Sequence, residues 1–114
     1  MNTLLLDSLT AAKVENSLPS RSGLLALSSF FGALSDVTRL KILSALTVSK
    51  MCVNDIAAVT GLNQTTVSHQ LRILRDARIV DGVRQGKVIF YGVDNTDISS
   101  IMNAAVRAIM ASEY

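Results

Sequence analysis

The chain has one cysteine (Cys52), one proline (Pro19) and one histidine (His69). A single cysteine excludes an internal disulfide framework and fits a reducing compartment, so a cytoplasmic location is expected. No apolar run approaches the roughly 20 residues that a membrane-spanning helix needs, and no membrane partner is expected. The leucine-rich opening MNTLLLDSLTAAK lacks a basic start and is interrupted by Asp7, which reads poorly as a secretory signal. Internal repeats and low-complexity segments are missing as well. With one imidazole, His69 reads as a surface or hydrogen-bonding residue rather than a metal ligand. A Ser68–His69 nucleophile pair fails on geometry, because adjacent helical residues do not face each other. No other paired catalytic groups occur, and the chain is not expected to be an enzyme.

Hydrophobic residues make up 49% of the 114 residues, enough for one domain with a modest core and against disorder. The net charge of +2 is unevenly placed. Residues 63–91 carry Arg72, Arg75, Arg78, Arg84 and Lys87 against only Asp76 and Asp81. That local excess suggests an anionic partner for the segment.

Leu5, Leu6, Leu9 and Ala12, with Leu4, suit a short amphipathic helix, and SLPSRSG breaks it at Pro19. From Leu24 the apolar positions Leu24, Leu27, Phe31 and Leu34 recur at helical spacing. Ser35 is a candidate N-cap for a next helix whose Leu40, Leu43 and Leu46 face inward. Met51-Cys52-Val53 is β-prone but too short for more than an edge strand. Asn54 can cap a helix through Val59 that Gly61 ends. After the turn Gly61-Leu62-Asn63, a longer helix runs from Gln64 to about Ala77. Two helices joined by a tight glycine-containing turn form a helix-turn-helix. Residues 79–84 and 87–93 then read as strands around Gln85-Gly86, a basic hairpin. A last helix from about Thr96 to Ser112 carries a stripe of Ile98, Ile101, Ala105, Ala108 and Ser112.

At 100° per residue, Val67, Leu71 and Leu74 share one narrow sector of the Gln64 helix, its core face. The opposite side carries Thr65, His69, Arg72 and Asp76, with Ser68 on its flank. Gln64 and Thr65 open the helix, where free N–H groups favour phosphate. Such side chains hydrogen-bond base edges and phosphates in a major groove. Gln64, Thr65, Thr66, Ser68, His69 and Arg72 are the candidate contacts to double-stranded DNA. Arg84, Gln85 and Lys87 would reach the backbone or minor groove from the hairpin. A polar helix face can also be merely solvated; the order of helix, tight turn, polar-faced helix and basic hairpin is what favours DNA.

FFGALSDVTRLKILSAL, MCVNDIAAVTGLNQTTVSHQLRILRDARIV and VRQGKVIFYGV resemble the ArsR/SmtB family of winged helix-turn-helix repressors. The likeness runs from about Leu24 to Ile109, departing at Val37, where the family commonly has proline. It implies a mainly α fold with a small β-hairpin wing. Residues 1–23 would be an N-terminal extension able to form a short dimerisation helix, and 24–114 the winged domain ending in a dimerisation helix. It also implies a homodimer on an imperfect palindromic operator, released by an inducer. The stripe on the last helix puts Ile98, Ile101, Met102, Ala105 and Ile109 at the dimer interface. Zinc-binding members place ligands at positions that are Asp97, Ser99, Met110 and Glu113 here, with both histidines replaced. The paired-thiolate site reads Cys52-Val53-Asn54, one thiolate short. No metal site and no cofactor are therefore expected. Cys52 reads as a small buried hydrophobe, with a redox role as the alternative. The inducer is open between an organic ligand, Cys52 oxidation, a partner protein and none. The rival class is a winged-helix protein-interaction module without an operator.

Overall fold

The computed structural model describes residues 5–111, and five of the six helices described begin where a short polar side chain takes up a free backbone N–H. Asp7 accepts from Thr10 N to start α1 (Ser8–Ser17), and Ser20 accepts from Gly23 N to start α2 (Arg21–Ala33). Asp36 accepts from Arg39 N at the head of α3 (Val37–Val48). The expected cap Ser35 instead donates its hydroxyl to Gly32 O, closing the end of α2. Asp36 wins because it lies immediately before the first helical residue, three short of the N–H it receives. Val37 starts this helix without proline.

α4 spans Val53–Thr60, so Asn54 lies inside it and is not its cap; Cys52 holds the cap position without a side-chain cap bond. Gly61 ends α4 in the left-handed region at φ 73°, and its N–H bonds Ala57 O. Asn63 then caps α5 (Gln64–Asp76) by accepting from Thr66 N at 2.8 Å. α5 stops in a Schellman arrangement, with Ile79 N bonded to Leu74 O and Arg78 N to Arg75 O. Arg78 occupies the position usually given to glycine, with φ 60°.

The hairpin pairs β1 (Asp81–Gln85) with β2 (Val88–Gly92) antiparallel, Asp81 opposite Gly92 and Gln85 opposite Val88. The turn is therefore Gly86-Lys87, one residue later than expected, with Gly86 at φ 66° in the first central position, as a type II′ hairpin turn requires. Ile79 and Val80 do not join the strand; both are buried in the core, where they gain more than at the edge of a two-stranded sheet. Met51 makes one bridge to Tyr91. α6 (Thr96–Met110) closes the described chain, its Asn95 side chain accepting from Asp97 N. Leu4, Ser112 and Glu113 lie outside the described residues.

α3, α4 and α5 pack on one another, and β2 lies against α3 and α4. Their core joins Ile42, Leu43 and Leu46 to Ile56, Val67, Leu71, Leu74, Ile79 and Val80. Leu40, expected inside, is half-buried; Ile42 takes its place. α2 is anchored through Phe30, Ala33 and Leu34 at its end, and α6 through Ile98 and Met102 at its beginning. α1 buries no residue. No helix among the described residues is long and apolar enough to cross a membrane.

Candidate nucleic-acid interface

α5 is held by its apolar sector and its capped start, which leaves the other side free. Val67, Leu71 and Leu74 are buried, as the helical wheel requires. Gln64, Thr65, Ser68, His69 and Arg72 line one shallow concave surface on the opposite side. Five of the six candidate helix residues are thus brought together. Thr66 is not among them: it is half-buried, and its N–H is engaged by Asn63. The first-turn N–H groups and the Arg72 guanidinium make this surface a place for anionic oxygen acceptors.

A second, smaller cleft of about 130 Å³ runs from α5 to the hairpin, lined by Ser68, Leu71, Arg72, Arg75 and Tyr91. Arg75 and Tyr91 were not among the sequence candidates. With Gln64 at 0° and 100° per residue, Arg75 falls at about 20° on the wheel, between Ser68 and the core face, so its angle carried the signal. Tyr91 could not be placed without the docking of β2. The wing residues Arg84, Gln85 and Lys87 are exposed at the end of the hairpin. Lys87 lies on a separate concave patch with Cys52, Val53, Asn54 and Val88, not with the Gln64 group.

Cys52 is half-buried rather than buried, and its thiol donates to Asp55 Oδ2 at 3.3 Å. At the start of α4 the core contact is made by Ile56, one turn further on. The residues at the paired-thiolate position are therefore a thiol, a valine and an exposed asparagine, a poor donor set for a thiophilic metal. At the other family position, Ser99 and Met110 supply a hydroxyl and a thioether, also poor zinc ligands.

The stripe on α6 divides along its length. Ile98 is 5% exposed and belongs to the core of the chain, and Met102 packs against that core. Ile101, Ala105 and Ile109 are exposed. Beyond the core contact, Ala105 and Ile109 line an open apolar groove with Leu40 and Ser44 of α3, so one angular stripe serves two surroundings.

Residues 36–81 match the family of bacterial regulatory proteins described as the arsR family. The chain is 38% identical over 82 residues to the cadmium resistance transcriptional regulatory protein CadC of Listeria innocua, covering 71% of this chain and 69% of that one. It is 34% identical over 87 residues to the transcriptional repressor SmtB homolog of Synechocystis sp., covering 76% of this chain and 66% of that relative. A homodimeric winged helix-turn-helix DNA-binding domain of a possible ArsR-family regulator from Mycobacterium bovis superposes with a TM-score of 0.74 at 28% identity, over 85% of this chain and 93% of that one. With its order of capped helices, tight glycine turn, polar-faced α5 and hairpin wing, this chain belongs to the arsR family of bacterial regulatory proteins.

Proposed function

We infer that the protein is a cytoplasmic DNA-binding transcriptional repressor, not an enzyme, that works as a homodimer on an imperfect palindromic operator. The observation that carries this reading is the convergence of Gln64, Thr65, Ser68, His69 and Arg72 on one exposed surface at the start of α5. Helix N-termini and Arg side chains take up phosphate, while Gln, Ser, His and Arg can also read base edges. Gln64 and Ser68 combine phosphate and base contacts, and Arg72 reads a base. Arg84, Gln85 and Lys87 add grip that does not depend on sequence. Arg75 joins them on the phosphate side.

Dimerisation follows from the same fold. The exposed part of the α6 stripe (Ile101, Ala105, Ile109) and the apolar side chains of α1 and α2 form the seam. Two α5 helices then meet successive major-groove faces about 34–36 Å apart along the duplex. DNA release comes from a signal other than tight zinc or arsenite binding within the chain, since neither family donor set fits.

Selection from a random duplex library, followed by titration of the selected duplex from 50 to 200 mM salt, tests the reading. Neutralising about 6–10 phosphates lowers affinity by roughly 10³–10⁵ over that range. A flat salt response, or no selected sequence, would favour a winged-helix module that binds a protein instead.

A further inference from the structure

Gln70 sits on α5 but not on its reading surface. It is half-buried, on the side of the helix turned toward α3. Its Oε1 accepts from Nη1 of Arg39 at 3.2 Å. Arg39 is in turn fixed at three other points. Its backbone N–H is bound by Asp36, its Nε donates to Ala33 O at 2.7 Å, and its Nη2 lies 3.5 Å from Gly32 O. One planar guanidinium thus ties the carbonyl end of α2 to the middle of the helix that carries the reading surface. The carbonyls at the end of a helix carry partial negative charge, which holds a cation there.

We propose that Arg39 is a positioning residue for DNA recognition, fixing the rotation of α5 against α2 and α3 through its bond to Gln70. The proposal rests on the repressor reading above. Apolar packing of Val67, Leu71 and Leu74 holds α5 on the body but tolerates small rotations about its axis. A hydrogen bond from a fork that is anchored elsewhere removes that freedom. Base readout needs donors and acceptors aligned with base edges, whereas phosphate contact tolerates displacement. Loss of the Arg39–Gln70 bond therefore reduces sequence-specific affinity more than non-specific affinity. A lysine at position 39 keeps the charge but cannot bond three acceptors in one plane.

The test compares the selected duplex with random duplex for wild type, Arg39→Lys, Gln70→Met, Gln70→Glu and the double variant Arg39→Lys/Gln70→Met. Gln70→Met removes the acceptor at similar size, and Gln70→Glu retains it. Arg39→Lys and Gln70→Met are each expected to weaken the selected duplex about tenfold, the scale of one charge-assisted hydrogen bond, with random-duplex affinity within about twofold of wild type. Gln70→Glu should remain within about threefold of wild type on both duplexes, and the double variant should be no weaker than either single one. Thermal midpoints report folding in parallel. Specific and random affinity falling together with the midpoint would make the bond merely structural and overturn the proposal. Unchanged specific affinity in both single variants would overturn it too, while leaving the repressor reading intact. Wild-type protein that selects no duplex would remove that reading and this proposal with it.

Discussion

Arg78 shows how one side chain can stand at a position its chemistry does not favour. Its φ of 60° completes the Schellman end of α5, where a non-glycine residue carries a steric cost of about 1 kcal/mol. Arg78→Gly should stabilise the fold by up to about 0.5 kcal/mol in urea unfolding, net of the extra freedom glycine has when unfolded. Arg78→Ala should bring no such gain, because alanine retains the Cβ. On the reading surface, Arg72→Ala should cost about 1–3 kcal/mol on the selected duplex if it pairs with a guanine edge. Lys87→Ala should weaken all duplexes alike and lower the salt slope by about one. If neither change alters binding, the reading surface lies elsewhere. At the other end of the chain, the backbone N–H of Thr10, aided by its hydroxyl, holds the Asp7 carboxyl below its ordinary value of 3.8. A carboxyl lowered on folding stabilises above its unfolded value and loses that contribution as pH falls through its folded value. Protection of the Thr10 amide, taken relative to the intrinsic exchange rate at each pH, should therefore fall below about pH 3.8, and Asp7→Asn, which still caps, should flatten that dependence.

At the scale of elements, the turn between α4 and α5 is held from both sides. Gly61 closes the first helix in a left-handed conformation and Asn63 opens the second. Asn63→Ala should lower stability by about 1 kcal/mol, with Asn63→Asp near wild type, as measured by urea unfolding. The same change should weaken DNA binding further, because the N–H groups of the first α5 turn belong to the proposed surface. The hairpin depends less on its strands than on its docking. β1 is exposed throughout, while β2 half-buries Ile89, Phe90 and Tyr91, buries Gly92 and packs Tyr91 against the core. This one-sided burial explains why the wing sits beside Arg75 and Ser68.

As a whole, the described chain is long for its size. Its Cα radius of gyration is 18.8 Å, with extents of 62 × 36 × 23 Å. A compact domain of this length would have a radius of about 13 Å. α1, which buries no residue, and α2 and α6, each anchored in the core at one end, leave apolar side chains open. Leu25 is 57% exposed, Phe31 55% and Val106 54%. Surfaces of that kind call for a partner, and the two-fold related copy proposed above would bury both sets at once. The variant Ile101→Asp/Ala105→Asp should sediment as a monomer and lose operator affinity, because a single half-site forfeits the paired contacts. A variant that stays dimeric would place the seam elsewhere on α1 and α2.

The helices, the helix-turn-helix and the faces of α5 were legible in the residues because each rests on local rules. Periodicity sets which side of α5 is apolar, and Gly61 marks where a left-handed backbone is needed. The grouping of five residues in the proposed reading surface was legible as well, since they lie on one helix at fixed angles. Two caps and the hairpin turn were displaced by one or two residues, because local preference does not fix which of several neighbouring residues ends an element. Tertiary structure alone decided the rest. It took Ile79 and Val80 from the strand into the core, put Cys52 at a half-open edge and brought Tyr91 beside Arg75. It also divided the α6 stripe between Ile98 inside and Ile101 outside, and joined Arg39 to Gln70. Those outcomes depend on residues far apart in the chain meeting in space, which spacing along one helix or strand does not encode.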